Sequence, residues 1–202
     1  KHLIIEAMRR MQRDRAVYLG DPAFVSMPVK MLTDPDYAAG MRTSIRLDRA
    51  TPSASLASAP EAHSGGGNTT HFSILDKDGN RVAGTITLNA GFGSGLMVDG
   101  TGMLLNNQMD DFSIKPGVPN IYGLIGASAN AIAPGKRMLS SITPTFVEGP
   151  RGYMIVGSPG GSLITGMVLL ATLDWMDGKT AQQIVAAPRI HHQYQPDVLT
   201  YE

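Results

Sequence analysis

The 202 residues carry seventeen basic and seventeen acidic side chains, so a formal charge of zero makes no electrostatic case for nucleic acid or an anionic membrane surface. The absence of cysteine excludes disulfides, thiolate nucleophiles and cysteine metal sites. The length suits one domain with a full core, or a domain with an extension, and the longest apolar run, 162–176, is broken by Thr165, Gly166, Thr172 and Asp174, too soon to span a bilayer.

The chain opens without an initiator Met or a signal-peptide pattern, directly in a helix, and is expected to be a piece of something longer. In that helix Leu3, Ile4, Ala7, Met8, Met11 and Tyr18 recur near one face, opposite Arg9, Arg10 and Arg13, and Gly20-Asp21-Pro22 stops it. A second short helix is predicted over 35–45, with Asp34 as N-cap and Pro35 at the first helical position, where its missing N–H costs nothing. Of the nineteen residues 50–68, fourteen are Ala, Ser, Pro or Gly, which reads as a mobile linker.

After this boundary the chain turns β-rich. Residues 71–75 and 82–88 read as strands joined through Asp76-Lys77-Asp78-Gly79-Asn80, whose Asp-Gly step supplies a hairpin turn. The same five residues imitate a calcium loop, but Arg81 and Thr87 stand where that loop needs Gly and Glu. Gly91-Phe92-Gly93-Ser94-Gly95 lacks nucleotide-loop spacing and reads as a bend, followed by a strand at 103–105. Residues 115–136, with three prolines and little periodicity, form a long loop of the kind that serves as a lid or binding loop. Strands at 144–147 and 153–156 flank a Gly-Pro turn, a helix runs from about Ser162 to Gly178, and Thr180 with Gln183 makes a capping box for a last helix stopped by Pro188. Strands followed by packed helices indicate an α+β layered domain.

Four stretches could carry chemistry. Thr69 follows a Gly-rich segment at the head of a strand; if the Asn68–Thr69 bond were cut, Thr69 would hold a hydroxyl beside a free α-amine, which titrates near ~7.7 to 8 and can act as the base for that hydroxyl. In an intact chain the same residues are an ordinary loop and strand start. Gly157-Ser158-Pro159-Gly160-Gly161 before a helix could aim backbone N–H groups at an oxyanion, or could simply be a tight turn. Asn106-Asn107-Gln108-Met109-Asp110-Asp111 suits a polar pocket; Asp110 and Asp111, in extended chain, would face opposite ways, so at most one would line it. Ser140-Ser141 could hold a carboxylate, or be turn chemistry, and His191-His192 reads as structural because no third metal ligand accompanies it.

Together, Thr69-Thr70-His71-Phe72-Ser73, Leu104-Leu105-Asn106-Asn107-Gln108-Met109-Asp110-Asp111-Phe112, Leu139-Ser140-Ser141, Gly157-Ser158-Pro159-Gly160-Gly161-Ser162 and Pro188-Arg189-Ile190-His191-His192-Gln193 resemble the γ-glutamyltranspeptidases, in the family's order. The resemblance implies an N-terminal nucleophile hydrolase with an αββα sandwich, incomplete in this chain. Residues 1–49 would end the large subunit, 50–68 would be the linker ending at the self-cleavage site between Asn68 and Thr69, and 69–202 would begin the catalytic small subunit. It implies Thr69 as nucleophile, Thr87 and Asn89 positioning its hydroxyl and amine, and Gly160 and Gly161 as oxyanion donors. Gln108 and Asp111 would hold the donor's α-amino group, and Ser140 and Ser141 its α-carboxylate. Residues 115–136 match the family's lid region.

No cofactor and no metal is implied. The implied partners are a γ-glutamyl donor such as glutathione, an acceptor that is an amino acid, a peptide or water, and the remaining segments of both subunits. A periplasmic or secreted location is implied as well. Met138 departs from the Pro that many relatives place before the Leu-Ser-Ser turn. The family's carboxylate-clamping arginine is expected upstream of this chain, so the 202 residues alone are expected to be inactive. Two alternatives stay open: an acylase of the same fold acting on glutaryl or cephalosporin-type amides, and a catalytically silent binding relative.

Overall fold

The computed structural model describes residues 1–56 and 68–202, so 57–67, the larger part of the expected linker, lie outside the described residues. The first helix, α1 (His2–Tyr18), contains neither Gly nor Pro and ends at Leu19, whose backbone leaves the helical region at φ −90°, ψ 144°. Two short helices follow, α2 (Val29–Leu32) and α3 (Pro35–Thr43); Asp34 caps the latter by accepting from the Asp36 N–H at 2.8 Å.

The expected orientation of α1 is corrected. Glu6, Met8, Arg9, Arg10, Gln12 and Asp14 are buried, whereas Leu3 is 52% and Met11 37% exposed. Periodicity assumes that charges seek water, but a charge that is paired and hydrogen-bonded tolerates burial. Here Arg10 binds Glu6 at 2.5 Å, and Glu6 in turn accepts from the Thr51 N–H at 3.0 Å. The upstream end of the expected linker is therefore held: a single 3-10 turn forms at Ser53–Ser55, and Ser53 is fully buried.

The strands pair two by two. β1 (Thr69–Leu75) and β2 (Arg81–Thr87) form an antiparallel hairpin in the register Thr69↔Thr87. The strand therefore begins two residues before 71, which places Thr69 on the ladder. Asp76 closes the turn by accepting from the N–H groups of Asp78 and Asn80, so the residues that imitate a calcium loop make a carboxylate-capped turn instead. β3 (Met97–Val98), unmarked in the sequence, pairs with β4 (Met103–Leu104); β5 (Thr145–Gly149) pairs with β6 (Gly152–Val156) in register Thr145↔Val156. α4 (Ile164–Met176) and α5 (Ala181–Ala186, with its Thr180–Gln183 capping box) follow, and β7 (Ile190–His191) pairs with β8 (Thr200–Tyr201).

These elements form two compact units that cut across chain order. One comprises residues 1–56, Met109–Ser140 and His191–Thr200; the other comprises 68–108, Ser141–Ile190 and Tyr201–Glu202. In the first, Met8, Phe112, Tyr122, Ile125 and Tyr194 are buried. The loop 115–136 belongs here and is packed rather than free, burying Tyr122, Ile125 and Asn130.

Asp21 of the first unit accepts from the Arg137 N–H at 2.8 Å, from Nη2 at 2.8 Å and from Nε at 3.2 Å. These bonds, the side-chain ones first, hold its carboxyl well below the usual carboxylate range. A depressed folded-state pKa stabilises above the unfolded value of ~3.9 and ceases to do so as pH falls through the folded one. Asp21→Asn in the full-length protein should therefore lower the melting temperature at pH 7, with the gap from wild type narrowing below about pH 4. Calorimetry across pH checks this; a gap independent of pH would contradict it.

In the second unit, Thr70, Phe72 and Ile74 share a hairpin face with Val82, Gly84 and Ile86. Gly84 makes room for the Phe72 ring, and Ile74, Val82 and Ile86 remain 47 to 66% exposed. An apolar sheet face belongs against another layer. The β5–β6 hairpin lies beside the first, with the Arg81 guanidinium 3.7 Å from the Tyr153 ring centroid.

Candidate active site

The second unit assembles a hydroxyl cluster at the head of the first hairpin. Because Thr69 and Thr87 are cross-strand partners, their side chains share a face, and Thr69 Oγ1 points its hydrogen at Thr87 Oγ1, 3.5 Å away. Thr87 Oγ1 also accepts from the Asn89 N–H at 2.9 Å and donates to the Asn68 carbonyl at 2.8 Å. One hydroxyl thus touches the nucleophile candidate and polarises the carbonyl of the Asn68–Thr69 bond. Asn68, Thr69, Thr87, Leu88, Gly91 and Pro159 line an open cleft of about 530 Å³.

Pro159 belongs to the turn that leads from β6 into α4. Gly157 lets that turn approach β1, since a Cβ there would collide with the His71 ring, which is itself fixed by Thr85 at 2.8 Å. Gly160 has φ +128°, a region closed to other residues in practice, and starts the 3-10 turn Gly161–Leu163, in which the Leu163 N–H bonds the Gly160 carbonyl at 3.1 Å.

Asn107 holds the end of β2 to the next polar run. Its N–H donates to Leu88 O at 3.1 Å, its carbonyl accepts from Asn89 Nδ2 at 3.2 Å and its Oδ1 accepts from the Ala90 N–H at 2.8 Å. Asn107, the residue before Gln108, thus binds Leu88, Asn89 and Ala90 in turn and holds Asn89, which is buried with φ +76°. Gln108 Oε1 is buried without a hydrogen-bond donor, which suits an acceptor waiting for a ligand N–H.

Gln108–Asp111 is one 3-10 turn, not extended chain, so the expected opposition of Asp110 and Asp111 does not arise. Asp110 accepts from the Ile121 N–H at 3.0 Å and closes the loop. Asp111 lies in the first unit, lining a small pocket of about 20 Å³ with Arg15, Ser113, Asn120 and Asn130. Burial pushes its carboxyl up to about 6; Arg15 opposes this and the Asp110 charge adds to it.

Asn130, which sequence reasoning missed, donates to the Asp111 carbonyl at 2.7 Å and accepts from the Leu139 N–H at 3.1 Å, tying the acidic turn to the residue before Ser140. Only its Asn side chain amid apolar loop neighbours hinted at such a role. Asn107 was visible as part of a polar run, but its bonding was not.

Of the expected site residues, Thr69, Thr87, Asn89, Gln108, Ser141, Gly160 and Gly161 fall in the second unit, Asp111 and Ser140 in the first. Ser140 is exposed and Ser141 half-buried. His191 and His192 are buried in hydrogen bonds to Gln193 and Asp197, and burial lowers both their pKa values. Among the described residues no cluster of His, Asp and Glu is suited to a metal ion.

The family model described as Gamma-glutamyltranspeptidase matches residues 1–202. A glutathione hydrolase proenzyme of Pseudomonas sp. (strain A14) is 50% identical over 203 residues, covering 100% of this chain and 35% of its own length. The Escherichia coli (strain K12) glutathione hydrolase proenzyme is 46% identical over 99% of this chain and 35% of its own length. The chain thus spans about a third of the length of these curated relatives. Among solved structures, a variant of Helicobacter pylori gamma-glutamyltranspeptidase aligns with TM-score 0.62 at 51% identity, covering 64% of this chain and 71% of that one. The Pseudomonas nitroreducens enzyme, complexed with L-DON, aligns with TM-score 0.59 at 52% identity over 61% of this chain and 65% of that one. A full-length family match, close relatives and a shared fold agree: the chain is part of a member of the γ-glutamyltranspeptidase family, with that family's N-terminal nucleophile hydrolase fold in incomplete form.

Proposed function

We propose that the parent of this chain cleaves itself between Asn68 and Thr69 and then transfers or hydrolyses γ-glutamyl groups of glutathione and related amides through a γ-glutamyl ester on Thr69. The observation that carries this is the Thr69–Thr87–Asn68 chain of contacts, with the Thr87 hydroxyl 3.5 Å from Thr69 Oγ1 and 2.8 Å from the Asn68 carbonyl oxygen. The proenzyme names of the relatives support the processing step.

In the intact chain Thr69 has an amide nitrogen, so its hydroxyl needs the polarised Asn68 carbonyl as a nearby electrophile. Attack forms an ester and frees the Thr69 amine; water then releases the upstream chain as a carboxylate. The amine, with a pKa near ~7.7 to 8, takes the hydroxyl proton as Oγ1 attacks the donor's γ-carbonyl. Gly160 and Gly161 N–H groups receive the developing oxyanion, and the proton passes to the leaving amine. Gln108 and Asp111 hold the donor ammonium, Ser140 and Ser141 its carboxylate. An amino acid, a peptide or water then takes the acyl group. Segments of the parent beyond these 202 residues complete the site and cover the exposed hairpin face, as the length of the relatives suggests.

The test is intact-mass analysis of the purified full-length parent together with assays on γ-glutamyl and glutaryl anilides. A chain beginning at Thr69 and preference for the γ-glutamyl compound are expected. Preference for the glutaryl compound would transfer the function to the acylase class; a single uncleaved chain without turnover would make the protein a silent relative.

A further inference from the structure

The buried charges of α1 have no part in the chemistry above, yet they belong to a connected polar network in the first unit. Arg9 Nη1 contacts both Asp197 Oδ1 and, at 2.7 Å, Ser53 Oγ; the Ser53 N–H donates to Asp197 Oδ2 at 2.7 Å, and His192 Nε2 lies 3.1 Å from Asp197 Oδ1. Both carboxylate oxygens of Asp197 are therefore used. Around this node Glu6 joins Arg10 to the Thr51 N–H, and Arg10 reaches Ser44 Oγ at 2.9 Å and the Ser44 carbonyl at 3.1 Å. The formal charges of Glu6, Arg9, Arg10 and Asp197 cancel, and Glu6, Arg9, Arg10 and Ser53 are at most 4% exposed.

The members of this network stand on opposite sides of the Asn68–Thr69 bond. Glu6, Arg9, Arg10, Ser44, Thr51 and Ser53 precede it; His192 and Asp197 follow it. Once that bond is cut, the Arg9–Asp197 and Ser53–Asp197 contacts join two separate polypeptides. The Asp21–Arg137 pair also crosses the cut, but it ties the downstream chain to the turn after α1 rather than to the end of the upstream chain.

We infer that the Arg9–Ser53–Asp197 node is a clamp between the processed chains: it docks α1 and the end of the upstream chain onto the 191–197 segment of the downstream chain and keeps the two associated after cleavage. The leverage lies on the Arg9 side: Arg9 is buried while Asp197 is 39% exposed, so removing the carboxylate leaves the guanidinium out of water with only Ser53 and Glu6, 3.6 Å away, as partners. Ser53 extends the clamp beyond the helix, fixing the upstream chain close to where the linker begins. The inference rests on cleavage at Asn68–Thr69, and its test separates the two.

Asp197→Ala and the milder Asp197→Asn would be made in the full-length parent, in the wild-type and Thr69→Ala backgrounds. Chain separation would be followed by size exclusion in rising urea, at several protein concentrations, with each peak identified by mass. In the cleaved background Asp197→Ala should weaken chain association by about 10-fold, with a separation midpoint that depends on concentration. Asp197→Asn should fall between it and wild type, and provides the readout if Asp197→Ala fails to fold. In the uncleaved background the effect should be much smaller, since the intact linker supplies a high effective concentration. Equal, concentration-independent losses in both backgrounds, or no loss in the cleaved one, would overturn the clamp. A wild-type parent that stays a single chain refutes the cleavage reading alone; a protease site built into 57–67 then supplies the cut, and the same comparison decides the clamp.

Discussion

Thr69→Ala in the full-length parent should leave one uncleaved chain and abolish turnover, the loss in kcat being about 10⁴-fold or more. No hydroxyl then remains to attack the Asn68 carbonyl, although Thr87 still polarises it through the 2.8 Å bond. Thr69→Ser restores a hydroxyl on the same strand position and should keep part of both processing and turnover. The missing methyl leaves the hydroxyl more rotamers, so its time near Thr87 falls and both rates should drop below wild type. A gel and intact masses score processing, and a γ-glutamyl anilide assay scores turnover. Normal two-chain processing in Thr69→Ala would remove Thr69 from the mechanism.

The next largest effect is expected from Asp111→Asn, which preserves size and removes the charge proposed to hold the donor ammonium. Charge-assisted hydrogen bonds are worth roughly 1.5 to 3 kcal/mol, which corresponds to a loss in kcat/KM of about 10-fold to 150-fold. The loss should nearly vanish on a glutaryl donor, which has no ammonium to hold. The pH dependence carries the same signature. Burial pushes the Asp111 carboxyl up to about 6, so it is charged above that pH and neutral below it. Protonation of the Thr69 amine near ~8 gives both enzymes one acid limb; as pH falls further through about 6, kcat/KM for the γ-glutamyl donor should steepen its fall in wild type, and this second acid limb should be absent in Asp111→Asn. Equal losses on both donors, or an unchanged second acid limb, would make Asp111 structural.

Arg15 bears on that limb because it shares the small pocket with Asp111 and counteracts part of the burial cost. The helix that carries Arg15 lies on the upstream side of the Asn68–Thr69 bond. The ionisation of Asp111, the residue proposed to bind the donor, is thus set partly by a charge upstream.

Much of the architecture was legible because its causes are local. Asp34 and Pro35 start a helix, Asp76 and Gly79 close a hairpin, and Thr180 with Gln183 caps α5, each through atoms a few positions apart. The motifs around Thr69, Gln108, Ser140 and Gly160 carried the family, on which the roles proposed for these residues rest. Local patterns also misled where the partner was distant. Periodicity sets the arginines of α1 opposite its apolar face, yet Arg9 and Arg10 are buried, because Arg9 meets Asp197 188 positions away and no window on the helix contains that partner. Asp110 and Asp111 lie on a 3-10 turn rather than in extended chain, with Asp110 bonded to the Ile121 N–H and Asp111 lining the small pocket. Asn107 and Asn130 act by side-chain bonds to backbone brought near by folding, and neither spacing nor residue type announces such bonds. The sequence by itself determined the local elements, the chemical groups and the family. Tertiary structure alone decided which charges could be buried, because the cost of desolvating a charge is offset only by partners that the fold brings to it.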